Sequence, residues 1–219
     1  MALNRQRVLD AAVELADRDG IESLSMRRLS QELGVVPMAL YKHVANKEEL
    51  LNGMVEVLIA EIAPAAADIH WKSAVRARVL SARRSLQRHA WARQVIESRT
   101  GKSQAVLGYL DSVIGMFLAG GFSVDLTHHV MHAFGSRVWG LTQEVFEDPP
   151  ATAPMDPAMF AHLAQLYPNV ARMAGAADHD DSTVGQGCDD QFEFEFALDL
   201  LLDGFERLRD TGWSSRRSA

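Results

Sequence analysis

The chain has 219 residues, 47% hydrophobic and 23% charged, the values of an ordinary globular protein with ample core. Its formal charge of -7 excludes a surface that attracts nucleic acid or anionic membrane everywhere, and its single cysteine, Cys188, excludes an internal disulfide and any Cys-rich metal centre. Arg5, Arg7 and Asp10 interrupt the N-terminus where a signal peptide would need an apolar run, and no apolar stretch is long enough to span a bilayer. A cytoplasmic protein with no membrane partner and no cofactor is expected.

Charge is unevenly spread. Residues 24–47 hold Arg27, Arg28, Lys42 and Lys47 against Glu32 alone, and residues 70–104 hold nine Lys or Arg against Glu97 alone. Residues 105–219 hold six basic against seventeen acidic residues, an asymmetry expected of two jobs along one chain.

Nearly every segment reads as helix, so the fold class is all-α. Val8, Leu9, Ala12, Leu15 and Ala16 recur at helical spacing, and Gly20 ends that first helix. Ser25 is an N-cap for a short second helix with Leu29 and Leu33 on its inner side. Gly34 breaks it, and a third short helix is expected over about Val36 to His43, with Pro37 in its first turn where a missing N–H costs nothing. Asn46 caps a fourth helix, with Glu49 as capping-box partner, and Pro64 closes it. Further helices are expected over 72–89, 91–98, 104–119 and 125–147, with Ser123 as N-cap of the last. The proline-rich DPPATAPMDP, 148–157, is a connection, and a helix over 157–173 follows. Residues 174–190, with five aspartates and three glycines, have no periodicity and read as a loop. QFEFEF alternates as a strand would, but Phe194, Leu198, Leu201, Leu202, Phe205 and Leu208 form a helical stripe too long for a strand, so 191–210 is expected to be a helix.

Two short helices joined by a tight glycine turn and propped on a longer first helix form a helix-turn-helix. Leu29, Leu33, Val35 and Leu40 supply its inner faces. Met38 and Ala39 leave room for close approach to base edges, Tyr41, Lys42 and His43 supply phosphate and base contacts, and Arg27 and Lys47 flank the second short helix where phosphates would lie.

The stretch SLSMRRLSQELGVVPMALYKHVANKEELL resembles the DNA-binding motif of the tetracycline-repressor (TetR) family of bacterial transcription regulators, and the likeness runs gapless from Val8 through Leu51. The resemblance implies a helix-turn-helix domain over 1–48, a connecting helix over 49–64 and a helical ligand-binding and dimerisation domain over 65–219. It implies a homodimer that reads a palindromic double-stranded operator, with contacts from Arg27, Pro37, Met38, Ala39, Tyr41, Lys42, His43 and Lys47. The founding repressor has glutamine, proline and threonine where this chain has Pro37, Met38 and Ala39, so the operator does not carry over.

Residues 65–219 are similar to the family's ligand-binding domain through Trp71, Arg83, Arg84, Leu86 and Arg88, then Gly121–Phe122–Ser123, Gly140, Glu144 and the closing FALDLLLDGFERL. The resemblance implies that the helices near 125–147 and 191–210 pack with their copies in a dimer. The first is apolar on more than one side, with Leu126, Val130, Phe134, Val138 and Leu141 on one and Met131, Trp139, Val145 and Phe146 elsewhere. It also implies a pocket for an apolar small-molecule effector among the helices at 72–89, 104–119 and 125–147, with Arg78, Ala82, Leu110, Val113, His128, Met131 and Glu144 as lining. The family's founder holds the drug's magnesium with a histidine where this chain places Ile96, so a metal-chelated tetracycline is a poor fit. The expected function is a ligand-released repressor, not an enzyme. The alternative is a metal-binding helical enzyme or metal-sensing regulator built on His128, His129 and His132 with Glu144 or Asp125. That cluster lacks the glutamate between histidines that a zinc-protease helix needs.

Overall fold

The computed structural model describes residues 2–64, 69–98, 103–140, 157–169, 171–172 and 190–215. Among them the structure is all-α, with no strand: α1 Arg5–Asp19, α2 Met26–Glu32, α3 Pro37–Leu40, α4 Lys47–Glu61, α5 Trp71–Arg88, α6 Ala92–Glu97, α7 Gln104–Ala119, α8 Val124–Gly140, α9 Pro157–Leu166 and α10 Asp190–Asp210, with a 3-10 turn at Ile21–Ser23 after α1. By compactness the chain falls into one unit of residues 1–139 and 204–219 and another of residues 140–203.

Local chemistry sets the ends of the first helices. Asn4 Oδ1 accepts the Arg7 N–H at 2.8 Å and starts α1. Ser25 Oγ accepts the Arg28 N–H at 3.1 Å and starts α2. Gly34 then takes φ +64°, a left-handed turn that a side chain would strain. Asn46 Oδ1 accepts the Glu49 N–H at 2.8 Å, while Glu49 Oε2 reaches back to the N–H of Ala45 at 2.6 Å. This is a capping box displaced by one residue. The third helix is shorter than expected: Pro37–Leu40 is followed by a tight turn in which Leu40 O accepts from His43 N at 2.8 Å and Val44 N at 3.0 Å. The chain must leave helical geometry there so that Asn46 can adopt the extended conformation of a cap.

Helices α1 to α4 close over one core. Val8, Leu9, Leu15, Leu24, Leu29, Leu40, Val44, Leu50 and Met54 are all fully or almost fully buried. Burying each such side chain stabilises the fold by about 1.5–3 kcal/mol. Helices α1 and α4 touch at Gly53, where an added Cβ would lie 2.4 Å from a Leu9 methyl carbon. The same apolar cluster continues along α4 through Leu58 and Ile62 to Ala82 on α5 and Val95 on α6.

The remaining elements follow the sequence closely. Helix α7 has the expected bounds, α5, α6 and α10 differ from expectation by one residue at one or both ends, and α9 ends at Leu166, short of the expected 173. QFEFEF is helical. Helix α8 is described to Gly140, and the side chains of Val138, Trp139, Leu141, Val145 and Phe146 lie outside those described. So do the proline-rich connection at 148–156 and the expected loop at 174–189. Ser123 Oγ caps α8 through Leu126 N at 3.1 Å. Beyond the first core, Phe117 packs edge-on against Phe122, Phe134 and Phe205. The Arg209 guanidinium lies over Trp71 and Phe122 and donates to Gly120 O at 3.0 Å.

Candidate nucleic-acid interface and small-molecule cavity

Helix α3 presents a bare outer surface on a rigid base. Leu40 is fully buried and holds it down, while Val36, Pro37, Met38, Tyr41 and Lys42 are exposed. Ala39 and His43 are half-buried. Tyr41 therefore stands in solvent rather than in the core. Arg27 on α2 is exposed, and neither its guanidinium nor the Lys42 ammonium has an ion-pair partner among the described residues. Arg28 is different: it pairs with Asp19 at 2.6 Å, and nearby Arg18 pairs with Glu32 at 3.1 Å. Lys47 donates to Leu24 O at 2.9 Å, which joins α4 to the turn before α2 and leaves its other two ammonium protons for another acceptor.

The second feature is an apolar cavity of about 80 Å³. Its walls are Leu58 and Ile59 of α4 with Ile62 just past its end, Ala82 and Leu86 of α5, Ile96 of α6, Val106, Tyr109, Leu110 and Val113 of α7, and Met131, Phe134 and Gly135 of α8. Four of the residues expected there, Ala82, Leu110, Val113 and Met131, come together on it. Arg78 stands behind the wall. It caps the end of α4 by donating to the carbonyls of Ile62 and Ala63, and its guanidinium stacks over the Tyr109 ring at 5.0 Å. Burial pushes the Tyr109 phenol above its ordinary range, and Arg78 opposes that shift. Glu144 lies outside the described residues.

His128 is exposed and does not line the cavity. It sits edge-on against His129 and His132, with ring centroids 5.2 and 4.7 Å away. His129 leans on Trp213, and Asp125 holds the C-terminal tail through Ser215 N at 2.7 Å and Oγ at 2.6 Å. The cluster is a set of rings packed edge to face. Among the described residues no three His, Cys, Asp or Glu side chains gather as metal ligands.

A polar junction not singled out in the sequence joins α1 and α4 to the segment between α5 and α6. Buried His89 faces Asp17 of α1 at 2.9 Å through Nδ1 and Glu61 of α4 at 3.2 Å through Nε2. Trp91 Nε1 donates to the same Asp17 at 2.6 Å, and Arg88 reaches Glu61 at 2.7 Å.

Comparison with known proteins agrees with both halves of this arrangement. The family described as "Bacterial regulatory proteins, tetR family" matches residues 8–54, and "Tetracyclin repressor-like, C-terminal domain" matches residues 63–209. The HTH-type transcriptional repressor DrrR1 of Streptomyces coeruleorubidus is 30% identical over 224 residues, covering 94% of this chain and 78% of its own. Tetracycline repressor protein class D of Escherichia coli is 29% identical over 208 residues, covering 93% and 89%. The solved structure of the TetR family protein ActR of Streptomyces coelicolor in complex with actinorhodin shares the fold, with a TM-score of 0.71 at 23% identity over 94% and 98% of the two chains. With helix-turn-helix and ligand-domain matches that together span most of its length, this chain belongs to the TetR family of bacterial transcription regulators.

Proposed function

We propose that this protein is a homodimeric repressor that holds a palindromic operator through α3 and releases it when an apolar small molecule enters the cavity. Residues 1–48 then read DNA, 49–64 connect, and 65–219 bind the effector and dimerise, all in the cytoplasm where the operator is. Arg27, Pro37, Met38, Ala39, Tyr41, Lys42, His43 and Lys47 form the DNA face.

One observation carries this reading: helix α4 belongs to both sites. Its first half, Leu50 and Met54, is core to the helix-turn-helix, and its end, Leu58, Ile59 and Ile62, is a wall of the cavity. A cavity of about 80 Å³ is much smaller than the roughly 300–1,000 Å³ that a drug-sized ligand fills. An effector must therefore part the walls, and α4 is one of them. Displacing that end turns the other, and with it the spacing of two recognition helices that must meet half-sites roughly 35 Å apart. A coupling of about 1–3 kcal/mol suffices to change occupancy.

The wall chemistry defines the effector class. Ile96 and twelve other residues present carbon surface, and only Tyr109 adds a hydroxyl. Among the described residues no carboxylate or imidazole lines the cavity. The effector is a largely apolar molecule bound without a metal.

Fluorescence anisotropy of the purified protein with labelled DNA from around its own gene, against scrambled DNA of equal length, tests the proposal. Tight binding to one fragment, lost in the scramble and reversed by a small apolar molecule, is expected. Equal, weak binding to every fragment would overturn it.

A further inference from the structure

The N-terminal end of the recognition helix carries no hydrogen-bonding reader. Bases are distinguished in the major groove by bidentate arginine or lysine on guanine and asparagine or glutamine on adenine. From Val35 to Leu40 this chain has none of those residues; its polar side chains begin at Tyr41, about one helical turn later. What stands there instead is Val36, Pro37 and Met38, with Val36 68% and Met38 71% exposed. Single exposed apolar residues are common and carry no message. Three in succession, on the tip held out by fully buried Leu40 and bracketed by Arg27 and Lys42, which have no ion-pair partner among the described residues, have an occupant of matching chemistry.

The cations fix that occupant as the phosphate-lined groove of duplex DNA. Within the major groove the only apolar group is the C5-methyl of thymine. Setting Val36 and Met38 against a G·C pair would strip water from its polar edge and return no hydrogen bond. Setting them against thymine buries carbon on carbon. Resting on the operator-binding reading above, we propose that Val36 and Met38 are specificity residues that read thymine methyl groups, so that each operator half-site has A·T pairs facing the start of α3.

Deoxyuridine differs from thymidine by that methyl alone and pairs identically, so it isolates the contact. Operator DNA is first selected from a random-sequence duplex pool with the full-length protein. Each thymine of the selected half-site is then replaced by deoxyuridine, in one half-site or both. Burying one methyl is worth about a fourfold change in affinity, and about tenfold or more when it is lost from both halves of a palindrome. The expected result is one or two positions with that loss, while the rest stay within twofold. Met38→Ala, a change at an exposed site, should erase the sensitivity at one such position, so that the thymidine and deoxyuridine duplexes bind that variant equally. Uniform tolerance of deoxyuridine, or a selected half-site with G·C pairs at every position protected by α3, would overturn the inference while leaving the regulatory reading intact. A pool that enriches no sequence at all would overturn the regulatory reading and this inference with it.

Discussion

Among the described residues Arg27, Lys42 and Lys47 of the DNA face meet no carboxylate, and Arg27 and Lys42 make no other ion pair, whereas neighbouring Arg28 is taken by Asp19. Each phosphate contact releases condensed counterions, so its loss lowers the dependence of log affinity on log salt by roughly 0.9 per contact. Changing Arg27 or Lys42 to alanine should therefore flatten the salt slope by about two in a dimer and weaken binding to all sequences alike. Arg28→Ala should leave the slope unchanged, and anisotropy titrations at several salt concentrations check both. Neither Arg27 nor Lys42 is buried, so thermal stability should hold within about 0.5 kcal/mol. The charge count of residues 24–47 shows four cations and cannot tell which are spent; the pairing of Arg28 with Asp19 bridges nine residues and exists only in the fold. At the cavity, Ala82 is buried and contributes the smallest side chain of the α5 wall. Ala82→Leu puts carbon into the space an effector needs, at a packing cost of about 1–3 kcal/mol. Operator binding should persist and release by effector should fail; normal release would show that the effector binds elsewhere.

At the scale of elements, the caps made the helices legible. Ser25, Asn46 and Ser123 each accept a backbone N–H three residues on, as their positions in the sequence imply. The cavity was legible only in part. Ala82, Leu110, Val113 and Met131 were readable from the family likeness, as was Ile96 at the position of the founder's metal-holding histidine, but Leu58, Ile59 and Ile62 were not. Those residues lie on regular apolar stripes, and periodicity shows which side of a helix is buried without showing which buried side chains border empty space. The His89 junction escaped for a related reason: Asp17, Glu61 and His89 are ordinary residues on three separate segments, brought together by packing. Its consequence can be measured. Asp17→Ala leaves Trp91 Nε1 and one His89 nitrogen without their acceptor in a buried site, which costs about 1–3 kcal/mol. Chemical denaturation should show that loss. Because the junction ties α1 to α4 and to the segment before α6, the variant should also bind operator more weakly while its α3 surface is intact.

At the scale of the whole molecule, two requirements meet: a net charge of -7 and a specific hold on a polyanion. The acidic residues gathered in 105–219 repel DNA, so the hold rests on the local cations of residues 24–47 rather than on bulk attraction. One small helix gives a weak hold, and a palindrome strengthens it only if two copies are fixed together. Helix α10 offers the surface for that. Phe192, Phe196 and Leu200 recur every four residues on one face, all three are exposed in the isolated chain, and the two phenylalanine rings are stacked at 6.4 Å. A second copy of the chain covers that stripe in the homodimer proposed above. Replacing Phe196 and Leu200 by glutamate puts charges where the two copies would meet and spares the cores around α3 and the cavity. Sedimentation should then find monomers, and helical content should stay the same. Operator affinity should fall by about 10²–10⁴, the gain that linking two binding modules confers, while the weaker contact with a single half-site survives. A variant that remains dimeric would show that another face joins the copies, and a monomer with undiminished operator affinity would show that one recognition helix is enough.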